Sequence, residues 1–110
     1  MNFLNRALFW ARGAIMDLLE RFPATIGQVW VRGKVANYLP QDSELVLRDN
    51  KDGHYVSVYI EDFERDMRDE GRPDFFWASG MECHAKGTPT TTGGKVTSIS
   101  DITALVVFGD

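Results

Sequence analysis

A chain of 110 residues with 44% hydrophobic and 25% charged side chains has the make-up of one folded domain around a single core, which excludes global disorder. Its formal charge of −4 excludes a protein that grips nucleic acid mainly by bulk charge, but leaves room for a local basic face. Its one cysteine, Cys83, cannot form an internal disulfide, so nothing in the chain demands an oxidising compartment.

The first predicted element is an amphipathic helix over residues 1–23. Leu4, Ala7, Leu8, Ala11, Ile15, Leu18, Leu19 and Phe22 recur at steps of three and four and so share one helical face. Asn2 can cap the start, and Pro23 lacks the amide that another turn would need. Phe3, Phe9, Trp10 and Met16 lie off that stripe, which makes them candidates for a partner interface; a wide stripe covered by its own domain is the alternative. Charges at Arg6, Arg12, Asp17, Glu20 and Arg21 break any continuous apolar span, and no small-residue cleavage site follows a short apolar core. The expected setting is intracellular and soluble: the nucleus in a eukaryote, the cytoplasm for a bacterial or viral protein.

From residue 26 the period changes to two. A first strand is predicted over 28–38 with Gly33 at its middle, where a barrel strand bends. After the turn at 39–43 comes a second strand over 44–49. Asn50-Lys51-Asp52-Gly53 is a hairpin signal, and a third strand follows over 54–60. In these three strands Val29, Val31, Val35, Leu45, Leu47, Val56, Val58 and Ile60 alternate with an outer set that holds Trp30, Arg32, Lys34, Arg48, Tyr55 and Tyr59.

The charged segment 61–70 carries Phe63 and Met67 four apart, the spacing of a short helix that plugs one end of a sheet, stopped by Gly71 and Pro73. A fourth strand is expected over 75–86, a flexible hairpin loop over 88–94, and a last strand over 95–108, broken near Ser100-Asp101. Five strands with a helix between the third and fourth is the order of the OB-fold, a small Greek-key barrel. The expected fold is therefore all-β: one domain over 1–110, with the N-terminal helix over 1–23 and a five-stranded OB barrel over 26–108.

The residues offer little to catalysis. His54, His84 and Cys83 are the only histidines and cysteine, and none has the spacing of a zinc cluster. Cys83 and His84 point to opposite faces of a strand and read as a core thiol beside a surface imidazole. The acidic run Glu61, Asp62, Glu64, Asp66, Asp69 and Glu70 lacks the ligand spacing of a calcium loop and is interleaved with Arg65 and Arg68. No catalytic residue, metal or cofactor is expected.

The outer set is different in kind. Single-strand-binding surfaces combine flat rings for base stacking with cations for phosphates, and Trp30, Arg32, Lys34, Arg48, Tyr55 and Tyr59 supply both, with Glu44 on the same face. Three readings stand at this level: contact with nucleic acid, contact with a partner subunit, or half-buried strand residues that pack well on a pleated surface.

The stretches VWVRGKV (29–35), ELVLRDNKDGHYVSV (44–58), GMECHAKGTP (80–89) and KVTSISDIT (95–103) together resemble the small OB-fold subunits of genome-maintenance complexes, those of the RecQ-mediated genome instability, replication protein A and CST complexes among them. The resemblance spans most of the barrel on motifs common to many OB-folds. It implies a non-catalytic subunit that stabilises larger OB-fold partners and has modest DNA affinity of its own. This chain carries its predicted helix before the barrel, whereas those families pair through a helix after it. The expected function is a protein-interaction subunit of a DNA replication, repair or recombination complex. Its expected partners are other OB-fold or helical subunits, met through the N-terminal helix in a homo- or hetero-oligomer, and no membrane. The alternative is an autonomous single-stranded DNA-binding protein that uses the outer face of strands one to three.

Overall fold

The computed structural model describes residues 6–11, 27–71 and 76–108. Six strands and one helix follow in order: β1 (Arg6–Ala11), β2 (Val29–Leu39), β3 (Glu44–Asp49), β4 (Tyr55–Tyr59), α1 (Glu61–Asp69), β5 (Glu82–Thr92) and β6 (Lys95–Phe108). β2, β3, β4, β6 and β5 pair in that order and β5 returns to β2, which closes a five-stranded barrel. β4 and β6 run parallel, and every other pairing is antiparallel. β1 is added outside this cycle, along the half of β6 that β4 does not reach.

The period-two reading of β2–β4 places the core. Val31, Val35, Leu45, Leu47, Val56, Val58 and Ile60 are buried, and Val29 packs against them half-buried. α1 seals one end, with Phe63 and Met67 both turned into the core. Phe63 sits edge-on to Trp10 at 5.6 Å and to Trp77 at 6.0 Å. Cys83 is fully buried, and burial pushes its thiol well above the ordinary value, so it stays protonated and unreactive.

Residues 6–11 correct the sequence reading. Residues 6–11 form a strand, not part of a helix, because a short apolar run such as Leu8-Phe9-Trp10 fits either period and tertiary pairing decides between them. Leu8 and Trp10 alternate inward and are buried, while the strand pairs with residues 104–108 of β6. The remainder of the predicted helix, 1–5 and 12–23, lies outside the described residues. The added strand also means that the helix over 61–69 follows the fourth strand, not the third.

β5 starts later and runs further than expected. Gly80 has a positive φ of 91° in the turn from Ala78 to Met81, and the strand begins only at Glu82. It continues through the stretch expected to be a flexible loop, up to a two-residue connection, Gly93-Gly94, in which both φ angles are positive. That is the geometry of the tightest hairpins, and it favours glycine at both positions. Pro89 lies beyond Gly87, where pairing with β2 ends, and stands opposite Ile99 of β6. β6 is continuous through Ser100-Asp101, and Asp101 takes up the bend with a positive φ of 49°.

β2 bends as a barrel strand must. Around Gly33 it pairs with β3 on one side and β5 on the other. A Cβ on Gly33 would lie 2.3 Å from the carbonyl oxygen of Arg48, and backbone cannot yield cheaply. Gly33→Ala is expected to lower stability by about 1–3 kcal/mol or more through this overpacking, read as a fall in the urea midpoint. An unchanged midpoint would refute the close approach.

Candidate nucleic-acid interface

Closure of the barrel turns the outer residues of β2, β3 and β4 to one side. Lys34 faces Arg48 across β2–β3, and Arg48 faces Tyr55 across β3–β4, so these three make one transverse row. Tyr59 stands four residues further along β4, opposite Glu44, which in turn faces Leu39. Tyr55 is 61% exposed and Tyr59 42% exposed, and Arg32, Lys34 and Arg48 are also exposed. Both tyrosine rings are therefore open to stacking, Tyr55 in the row of Arg48 and Lys34 and Tyr59 opposite Glu44.

Trp30 and Arg32 lie on the first half of β2, next to β5, where their partners are Lys86 and His84. They do not join the Lys34–Arg48–Tyr55 row. The Arg32 guanidinium sits 5.3 Å from the centre of the Trp30 ring, a cation–π arrangement. Trp30 is half-buried, and its Nε1 has no acceptor among the described residues. Its ring works chiefly as a floor for Arg32, with less surface to offer a base than either tyrosine.

Two clefts flank the β3–β4 hairpin. One, of about 470 Å³, is lined by Lys34, Arg48 and residues 49–53. The other, of about 240 Å³, is lined by Trp30, Arg32 and residues 49–51. Asp49, Asn50 and Lys51 thus wall both, and the hairpin links the two parts of the sequence-derived set. Read from sequence, Asn50 and Lys51 were turn residues only; their place beside the cations depends on how the hairpin folds over β2, where the Asn50 amide donates to the Arg32 carbonyl at 2.9 Å.

The local charge is more balanced than the outer set suggests. Lys34 Nζ lies 3.3 Å from Glu82 Oε1, and Glu82 Oε2 accepts from Asn50 Nδ2 at 2.7 Å and bonds His84 Nε2 at 2.9 Å. Burial disfavours the Glu82 carboxylate, but hydrogen bonds from His84, Asn50 and Lys34 outweigh it and hold its pKa below the ordinary value. Glu82 therefore stays ionised and occupies part of the field that Lys34 would offer a phosphate. At the far end of the face, Glu44 accepts from Ser57 Oγ at 2.6 Å.

A bulge explains why Tyr38 is not part of this surface. The β2–β3 register shifts between Val35 and Asn37, and the extra residue reverses the parity beyond it. Tyr38 consequently turns inward, packs near Trp77 and donates its hydroxyl hydrogen bond to Glu64. Burial first, and then this bond, push its pKa up to about 12.

Of the residues expected at a partner interface, Phe3 and Met16 lie outside the described residues. Phe9 is half-buried. Trp10 is buried in the protein's own core, against Phe63, with its Nε1 donating to Asp66 Oδ2 at 3.0 Å. Once residues 6–11 become a strand, period two turns this ring inward, so the fold itself takes up Trp10.

The chain is thus a mostly-β protein built on a closed five-stranded barrel whose strand order is consistent with an OB-fold. No protein-family model, curated protein or solved structure matches it. No helix among the described residues is long and apolar enough to cross a membrane.

Proposed function

We propose that this protein is a non-catalytic OB-fold binding module that engages single-stranded nucleic acid on the outer face of β2, β3 and β4. The observation that carries the reading is the pair of open tyrosine rings on one strand, Tyr55 and Tyr59, with Tyr55 in one row with Arg48 and Lys34, two cations that also line a cleft with Lys51. Rings stack on bases without regard to sequence, and cations track the backbone. In an OB-fold the equivalent strands and their flanking loops form the usual ligand face. The overall negative charge fits modest affinity, concentrated at one local patch.

Titration of a labelled oligothymidylate at low and moderate salt tests this. Affinity should fall as salt rises, with a log–log slope of about −0.7 for each phosphate engaged on a single strand. Absence of binding at low salt overturns the reading. Glu82→Gln should strengthen binding several-fold, because removing one fixed negative charge frees Lys34 for phosphate; a tightening of about threefold to tenfold corresponds to an ion pair of roughly 1 kcal/mol. Unchanged or weaker binding would show that Glu82 does not oppose the ligand.

A second reading makes the protein an interaction subunit of a DNA replication, repair or recombination complex, and the row Leu39, Glu44, Tyr59 supports it. Two partly exposed apolar side chains flank a carboxylate there, a combination that suits a protein surface better than a phosphate backbone. The two readings share Tyr59 and differ in what covers it: a base in the first, a protein surface that also covers Leu39 in the second.

A further inference from the structure

The hairpin that walls both clefts is fastened on two flanks. Toward β5 it is held by Asn50, whose side chain reaches Glu82 and whose amide reaches Arg32. Toward β6 it is held by His54 and Asp52. His54 Nε2 lies 2.8 Å from the Val96 carbonyl oxygen, and His54 Nδ1 is hydrogen-bonded to the Asp52 carboxylate. The same carboxylate accepts Lys95 Nζ at 2.9 Å and the His54 amide at 3.0 Å.

Both ring nitrogens of His54 therefore face oxygen acceptors. A neutral imidazole has one N–H and one lone pair, so it can satisfy only one of them and sets its lone pair against an oxygen at the other. An imidazolium donates to both. The surrounding charges agree. Asp52 faces the ring from the same hairpin, Asp49 from the end of β3 and the Val96 carbonyl from β6, while Lys95 of β6 meets Asp52 through its second oxygen.

We propose that His54 is a positioning residue: as an imidazolium it staples the β3–β4 hairpin to the β5–β6 hairpin, and its deprotonation loosens the shared wall of the two clefts and weakens ligand binding there. The coupling to binding rests on the reading of the face given above; the staple does not. The Asp52 hydrogen bond and then the Val96 carbonyl raise the His54 pKa above its ordinary value. The staple is thus complete below the ordinary imidazole pKa of about 6.5 and is lost as pH rises through the higher folded value. On the acid side, the bonds from His54 and Lys95 hold the Asp52 carboxyl well below its usual range. Its contribution is complete above the ordinary aspartate pKa of about 4 and is lost only as pH falls through the depressed folded value. The Asn50 contacts run to the Glu82 carboxylate and the Arg32 carbonyl oxygen, so loss of the His54 staple acts on the β6 flank.

Nuclear magnetic resonance on the full chain separates the two halves of the proposal. At pH 6 the ¹⁵N shifts of His54 should show both ring nitrogens protonated. Between pH 6 and pH 8.5, the protection factor of the Gly53 amide, which bonds the Asp49 carbonyl at 2.9 Å, should fall about threefold to tenfold, as expected for an exposed charge-assisted hydrogen bond. His54→Gln should hold the low value at every pH, and Asp52→Asn should return the His54 titration to the ordinary range. A neutral His54 at pH 6, or Gly53 protection indifferent to pH, overturns the staple whatever the oligonucleotide does. With a 15-nucleotide oligothymidylate, wild-type affinity should fall over the same pH range and that of His54→Gln should stay flat. Parallel profiles in the two proteins, or no binding at any pH, overturn the coupling to binding while the amide data still judge the staple.

Discussion

A Tyr55→Ala/Tyr59→Ala double variant is expected to lose single-stranded DNA affinity by at least about 30-fold, since each stacked ring contributes roughly 1–3 kcal/mol. Both rings project from one short strand, β4, at 61% and 42% exposure. The residues between them that face the core, Val56 and Val58, are fully buried, so the truncations touch the surface only. Stability should therefore change little, and the slope of log affinity against log salt should be preserved because no cation has been removed. Tyr→Phe at both positions should retain most of the affinity, since the ring and not the hydroxyl stacks. Double-variant affinity equal to wild type would remove stacking from the account and leave the face to a protein partner.

Phe63→Ala is expected to lower stability by about 3–5 kcal/mol, the usual cost of emptying a buried aromatic site. Phe63 is 1% exposed and is the ring against which Trp10 and Trp77 both pack edge-on. The loss is large against the roughly 5–15 kcal/mol that holds a domain of this size together. Urea unfolding should show a midpoint well below wild type with an unchanged slope. The same variant tests the assignment of residues 6–11. Trp10 should lose its ring partner, and tryptophan emission of the still-folded protein should shift toward that of exposed indole. A midpoint within error of wild type would contradict the plug that α1 makes at the barrel end.

How much of this was readable in advance varies by element. The inner wall of β2–β4 was legible because alternate residues on a strand face opposite sides, and Leu45, Leu47, Val56 and Val58 leave no other consistent arrangement. α1 was legible from Phe63 and Met67 at one helical turn. The row Lys34, Arg48, Tyr55 followed from the same parity, once the strands were placed side by side. Beyond Val35 parity failed, since one extra residue in β2 turns Tyr38 inward. The segment 6–11 failed because Leu8-Phe9-Trp10 satisfies both periods, and the edge of β6 that β4 does not reach was the deciding partner.

Alternation along the chain settled which side chains line the core and which stand outside, since that property depends only on near neighbours in sequence. The inventory of the outer face, Tyr55 and Tyr59 with Arg32, Lys34 and Arg48, was legible at the same level. Its electrostatics were not. Glu82 lies 48 residues from Lys34, and Val96 lies 42 residues from His54, and barrel closure alone brings each pair together. The same closure sets Trp30 and Arg32 apart from the Lys34–Arg48–Tyr55 row and puts Asn50 and Lys51 in the wall of both clefts. Burial is a local pattern repeated along each strand, whereas charge pairing depends on register between distant strands, and register is fixed only when the whole sheet closes.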